Sequence, residues 1–396
     1  MVYIETTTDD LIVLNPRWLC EEVLGKLLGD MEQLPADGRL SFAHLSGLFP
    51  NMDVADSVTI LSALELCSIV AAGTWYQVSC RNSLPVPYDD WKSDCPPYVG
   101  GVALVADSTA HLRCIFSRLQ HAIWNASVDD RPSEWSGGIQ FRGSSESSPD
   151  CVITIRVDTE EDEDVIRIIC RSHDPQSLYQ QQQKTAVTVL RVIDTCCPGV
   201  FLQLRALSPR DIREVDRPRP RMYSALEVST AQLDGREEVR IDGDEEQEES
   251  LKDVLAFGDE TLFDTLRPGV ELHVSELPMF TRCRLAALLD PPHPQGRDWL
   301  LLALGLGLGD FVPQVDATET ASLSRTDRIL AVWSRNDDST IRRLLGVVRQ
   351  TLQRPDVEQT LLELTPFCRL SSHNPRRSAS PSTENNDVFP ANCNHS

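Results

Sequence analysis

The chain has 396 residues, 41% of them hydrophobic, which is enough for two or three separate cores. A formal net charge of −23 and a pI near 4.7 work against nucleic acid or an anionic membrane as the main partner, because both present phosphate to a surface that repels it. The opening MVYIETTTDD has no basic start and no apolar core, which excludes a secretory signal, and the longest apolar run, Trp299 to Leu308, is about half the ~20 residues needed to cross a bilayer. A cytoplasmic protein without membrane insertion is expected.

Residues 11–88 read as a small helical module with a closing strand. Asn15 can cap a helix that has Pro16 at its first position, and Trp18, Leu19, Val23, Leu24, Leu27 and Leu28 form an apolar stripe. A short strand at Arg39–Phe42 follows, then helices over Phe42–Phe49 and Val54–Leu66 and a strand at Thr74–Val78. This order suits a winged helix. No Lys or Arg lies between Arg39 and Arg81, so its third helix has no cation to offer phosphate, and protein packing is the expected role.

Residues 98–208 alternate differently. Val99–Val105, Ile139–Phe141, Val152–Val157 and Val165–Ile169 are strands rich in β-branched residues, and Leu112–Trp124 is an amphipathic helix. Between two strands lies Glu160-Glu-Asp-Glu-Asp164. Carboxylates are hard oxygen ligands suited to calcium, but the run lacks the spacing and the glycine of a calcium loop, so a solvated hairpin turn is expected. A helix over Lys184–Asp194 and a strand over Val200–Leu204 complete an α+β block.

Arg217-Pro-Arg-Pro-Arg221 marks a change. From Asp234 to Asp253 there are ten acidic residues against Arg236, Arg240 and Lys252, with little aliphatic periodicity, and residues 217–262 are expected to be a flexible acidic linker. The tail, residues 371–396, is expected to be disordered, with phosphorylation motifs in Arg376-Arg-Ser-Ala-Ser-Pro381.

Residues 263–370 read as an all-α bundle of five or six short helices. Apolar residues recur at helical spacing in Leu277–Leu289, Trp299–Leu306, Ile329–Trp333, Ile341–Leu352 and Val357–Leu364. Asp290-Pro-Pro-His-Pro294 and the glycines at 305, 307 and 309 break the runs, Asn336–Ser339 offers cap oxygens for the fourth, and Asp356 could cap the last. None of these helices is stable alone, so they must share one core, expected at Leu285, Leu288, Trp299, Leu302, Leu330, Trp333 and Leu345.

The twelve cysteines are scattered without CxxC spacing; Cys67, Cys170 and Cys283 sit among apolar neighbours as reduced core thiols would. No phosphate loop, kinase catalytic loop or Asp-Phe-Gly triplet is present, and no metal or cofactor is expected. A non-catalytic chain that works through its surface is expected. Between Glu276 and Glu363 there are ten arginines, no lysine and twelve acidic residues. Arg342, Arg343 and Arg349 fall on the polar side of one helical run and are candidates for a protein-partner surface, since the guanidinium fork suits carboxylates.

The run LAALLDPPHPQGRDW from Leu285 to Trp299, with Leu301–Phe311 behind it and Trp333 in ILAVW, resembles the death domain of the death-associated protein kinases. Upstream, Asn15-Pro-Arg-Trp-Leu-Cys20, with Pro16, Trp18 and Leu19 as its motif, and Val23–Leu28 resemble the COR region of Roco proteins. The resemblance implies a winged-helix-like first COR half, an α+β second half that forms a homodimer, and a six-helix death domain that docks other proteins in apoptotic signalling. It also implies that this is the C-terminal part of a protein whose calmodulin-regulated Ser/Thr kinase, ankyrin and GTPase-like domains precede Met1. The alternative is a regulatory segment of a Roco-type GTPase.

Overall fold

The computed structural model describes residues 2–4, 11–13, 15–29, 35–70, 75–79, 84, 96–106, 112–126, 132–143, 151–160, 163–197, 200, 202–214, 219–241, 244–316 and 324–371. The tail beyond Ser371, with its phosphorylation motifs, and residues 215–218 lie outside the described residues.

A short antiparallel pair, β1 (Val2–Ile4) and β2 (Leu11–Val13), precedes the first module. The Asn15 side chain accepts from the amides of Arg17 and Trp18 to open α1 (Pro16–Trp18), which runs through a π-helical turn (Leu19–Leu24) into α2 (Gly25–Gly29). Leu19, Val23 and Leu27 enter the core, whereas Trp18 and Leu28 stay exposed, so the buried stripe is narrower than the spacing suggested. β3 (Arg39–Ser41), α3 (Phe42–Leu48), α4 (Val54–Ala63), β4 (Ser68–Val70) and β5 (Trp75–Gln77) complete the module, with the strands in the order β3-β5-β4. A reciprocal cap between Ser41 and His44 opens α3, and Asp53 caps α4.

The second body is one antiparallel seven-stranded sheet, ordered β12-β11-β6-β10-β9-β8-β7. Its elements in chain order are β6 (Tyr98–Ala106), α5 (Leu112–Ala126), β7 (Ser133–Trp135), β8 (Gly138–Gly143), β9 (Cys151–Glu160), β10 (Glu163–Ser172), α6 (Pro175–Cys196), β11 (Leu202–Leu207), α7 (Pro209–Arg213) and β12 (Met222–Ser224). The period of two sends Ile153, Ile155, Ile166 and Ile168 into one core with α5 and α6. The opposite face carries Arg156 directly across from Arg167, and both pair with Asp158. The ladder pairs Glu160 with Glu163, so the acidic run forms the end of the β9–β10 hairpin; residues 161 and 162 lie outside the described residues. The helix expected from Lys184 starts at Pro175, capped by Asp174, because its glutamine-rich first half buries Leu178, Tyr179, Gln181 and Gln182.

The stretch expected to be a flexible linker is ordered secondary structure. It contains α8 (Ala225–Asp234), β13 (Glu238–Ile241), β14 (Asp244–Ser250) and α9 (Leu251–Ala256), followed by α10 (Glu260–Thr265) and β15 (Leu266–Pro268). Ser224 and Glu227 form a capping box at the start of α8, and Gly235, at φ 66°, ends it. Val228, Ala231, Val239, Leu251 and Val254 are buried in the same core as the large sheet. Acidity averaged over the window hid them: each short element contributes only one or two apolar side chains, and these meet only in three dimensions. Glu249, itself buried, accepts from the Tyr223 hydroxyl at 3.0 Å and the Arg210 amide at 3.2 Å.

The last body is helical. Two 3₁₀ turns (Gly269–Glu271 and Val274–Glu276) lead into α11 (Met279–Leu289), α12 (Trp299–Gly305), α13 (Val312–Asp316), α14 (Arg325–Trp333), α15 (Ile341–Val347), a π-helical turn (Val348–Leu352) and α16 (Pro355–Glu363). β16 (Cys368–Leu370) then pairs antiparallel with β15, so the strands before and after the bundle close it like a clasp. At this clasp a Cβ on Gly269 would collide with the Pro366 carbonyl. The architecture is mixed α and β: a large sheet in the N-terminal region and helices at the C-terminus. No helix among the described residues is long and apolar enough to cross a membrane.

Candidate functional site

The helical bundle is built around two indoles. Trp299, the first residue of α12, and Trp333, the last of α14, are 8% and 4% exposed, and Leu285, Leu302, Leu330 and Leu345 are buried in the same core. Leu288 is partly buried against it. Asp298 caps α12 through the Leu300 amide at 3.1 Å, which presents Trp299 inward, and the Arg325 guanidinium lies 5.4 Å from the centroid of its ring on the outer side. Asp290, at the end of α11, accepts from both the amide (2.8 Å) and the hydroxyl (2.6 Å) of Thr326 in α14, so one carboxylate sets where these two helices meet.

The prolines between α11 and α12 prevent helix there, and arginines hold that loop in place. Arg354 donates to the carbonyls of Arg297 (2.9 Å) and Leu288 (3.4 Å) and pairs with Asp356 at 2.6 Å, and Arg297 donates to the Gln353 carbonyl at 3.1 Å. The Arg354 guanidinium holds the Asp356 carboxyl below its ordinary range. Asp356 therefore sits in the first turn of α16, whose cap position is Arg354, and does not itself cap the helix. Likewise the cap of α15 is Thr340, not the preceding Asn336–Ser339; Ser339 donates to the Trp333 carbonyl at 2.7 Å instead.

The three candidate surface arginines have different environments. Arg342 pairs with Glu271 and reaches the carbonyls of Leu233 (3.3 Å) and Gln232 (3.4 Å) at the end of α8, so it bridges the bundle to the neighbouring body. Arg343 pairs with Asp338 at 3.6 Å and Arg349 with Glu358 at 2.6 Å, both at the surface. Exposed pairs of this kind contribute ~0–1 kcal/mol, so a partner's carboxylate can replace the internal one at little cost. Met279, Phe280, Leu300, Leu304 and Phe311 add exposed apolar surface to the bundle.

Among the described residues, no three or more His, Cys, Asp or Glu side chains gather where a metal could sit. Ser68 and His121, 53 residues apart, do meet at 2.8 Å, and both are buried in the seam between the first module and the sheet. Cys67 and Cys170 are buried, whereas Cys283 is exposed on α11, contrary to the expectation from its apolar neighbours. Of the upstream motif, Leu19 is core, while Pro16 and Trp18 are exposed. Sequence reasoning missed Tyr179, Gln232, Glu134 and His121, which tie the bodies together; none of them stands in a local pattern that distinguishes it from a surface residue.

The death domain family matches residues 282–363. Over 345 residues, 82% of its length, the chain is 30% identical to the death-associated protein kinase dapk-1 of Caenorhabditis elegans, and it spans 23% of that relative. Residues 282–363, running from within α11 to the end of α16 around Trp299 and Trp333, are a death domain.

Proposed function

We propose that this chain is a non-catalytic signalling segment whose death domain docks other proteins in the cytoplasm during apoptotic signalling, in a protein akin to the death-associated protein kinases. The observation that carries the reading is the death domain match over a bundle whose two indoles fill its core, which leaves the outer surface to do the work. Arg343 and Arg349 are the favoured contacts, since their present partners, Asp338 and Glu358, are surface carboxylates that a partner can displace. Arg342 serves internal docking as well.

The test is binding of the full chain to a panel of purified death domains. Arg343→Glu with Arg349→Glu should leave helicity unchanged and weaken capture at least tenfold. Capture unchanged by the double variant would remove the arginines from the interface, and failure of every death domain to bind would remove the docking role.

The dimerising, COR-like role of the α+β block is part of the same proposal. Val187 and Leu190, one turn apart on the outer side of α6, are its support, since both are exposed apolar side chains. Val187→Glu with Leu190→Glu should shift a sedimentation equilibrium from dimer to monomer; a wild-type chain that sediments as monomer at tens of micromolar sinks the dimer.

A further inference from the structure

The first module meets the sheet through a seam in which two buried titratable groups face short polar partners. On the sheet side, α5 supplies His121 and β7 supplies Glu134. Gln120 donates from α5 to the carbonyls of Trp135 (3.3 Å) and Gly138 (2.9 Å), so α5, β7 and β8 move as one body. On the module side, Ser68 of β4 bonds the His121 ring at 2.8 Å, and Ser79, just past β5, lies 3.1 Å from each Glu134 carboxyl oxygen. Both Glu134 and His121 are less than a tenth exposed. Among the described residues, charged groups act on both. Arg39 of β3 acts on Glu134 from a distance while pairing loosely with Asp37 at 4.0 Å, and Glu65, which follows α4, acts on His121 and pairs with Arg118 of α5 at 3.6 Å.

We propose that this seam is a pH-sensitive contact, closed when the Glu134 carboxyl holds its proton and His121 is neutral, and loosened when either group carries charge. A hydroxyl and an amide compensate a neutral acid well, and an ion poorly. Burial outweighs the help of Ser79, Arg39 and Gln77 and pushes the Glu134 carboxyl up to about 7, and burial likewise lowers His121 despite Glu65. For Glu134 the closed-state value lies above the open-state value, so its contribution is complete below the open-state range and is lost as pH rises to about 7. For His121 the shift is opposite: its contribution is complete above the ordinary imidazole range and is lost as pH falls through the depressed value. The two dependences therefore oppose each other: rising pH loosens the seam through Glu134 up to about 7, and falling pH loosens it through His121 below the ordinary imidazole range.

Amide hydrogen exchange on the full chain, corrected for the intrinsic rate at each pH, reads the opening at residues 75–79 and 133–143. Glu134→Gln keeps the shape and abolishes the charge. The ratio of wild-type to variant opening should rise about tenfold per pH unit up to about 7 and then level off. A ratio that stays flat from pH 5 to 8.5 overturns the proposal. Ser79→Ala removes a donor that favours the ionised carboxylate, so it should move the levelling point to higher pH; an unmoved levelling point likewise overturns it. These readouts involve no partner protein, so they stand or fall independently of the docking role.

Discussion

The Tyr179 hydroxyl, near the start of α6, donates to the carbonyl oxygen of Cys368 at 3.0 Å, joining residues 189 positions apart. Cys368 opens β16, the strand that closes the death domain against β15. The bond therefore anchors the clasp of the bundle to the helix lying on the large sheet, and Gln232 of α8 adds a second tie, to the Phe367 carbonyl at 2.8 Å. Loss of the hydroxyl in Tyr179→Phe should cost ~0.5–1.5 kcal/mol. It should also speed amide exchange in residues 266–268 and 368–370 while leaving α14 unchanged, and equal exchange in the clasp would show that the bond is idle.

The clasp also depends on Gly269. Its Cα lies so close to Pro366 that a methyl group would overlap the carbonyl oxygen, and that obstacle is backbone, not the end of a flexible side chain. Gly269→Ala should lower stability by ~1–3 kcal/mol in urea unfolding, as overpacking does. A wild-type midpoint would mean the strands can separate without consequence.

Removing an indole tests the death domain core. Trp333→Ala should cost ~3–5 kcal/mol. Arg325→Gln, which removes the cation over Trp299, should cost less, with ~0.5–1 kcal/mol expected from that contact. Thermal unfolding followed by tryptophan fluorescence separates the two, and comparable losses would contradict the burial of Trp333.

Asp290 makes a prediction specific to the α11–α14 contact. Asp290→Ala orphans the Thr326 amide and hydroxyl at a residue with no exposed surface, and each orphan costs ~1–3 kcal/mol. Both bonds fall on one carboxylate oxygen, so Asp290→Asn, whose amide oxygen can accept both, should recover most of the loss. If both variants unfold alike, the carboxylate's two bonds are not what joins these helices.

Thiol chemistry should divide along burial. Burial pushes the Cys368 thiol up to about 12, with the neighbouring Tyr179 hydroxyl opposing the shift. Because the folded value lies above the unfolded one, near 9, the neutral thiol's contribution is complete below about 9 and is lost as pH climbs toward 12. At pH 8, iodoacetamide should modify the exposed Cys20, Cys114 and Cys283 and leave Cys170 and Cys368 untouched until the chain unfolds. Mass spectrometry of peptides reads the pattern, and rapid labelling of Cys368 in the native chain would place it outside the core.

What could be read from residues alone was local and periodic. The strands at 99–105, 152–157 and 165–169 and the helical runs of α11, α12, α14, α15 and α16 announced themselves because alternation and the 3.6-residue repeat are written along the chain, and prolines and glycines marked where several runs must stop; α13 carries no such repeat. The pair of tryptophans was legible as core for the same reason. The acidic stretch was misread because composition in a window cannot show that Val239, Leu251 and Val254, each on a different short element, converge on one sheet. The first half of α6 was missed because glutamines become core only when something covers them. The internal contacts of Arg342 were not legible because its partners, Glu271 and the end of α8, are distant in sequence.

The sequence by itself determined where the strongly periodic strands and helices form, since alternation and the 3.6-residue repeat follow from neighbours within a few residues. Only the tertiary structure decided how the bodies join: Tyr179 with Cys368, Arg342 with the end of α8, Glu134 with Ser79, His121 with Ser68. Those polar contacts join residues 53 to 189 positions apart, and at Tyr179, Glu134 and His121 burial set by the assembled fold, not any local pattern, gives the contact its strength.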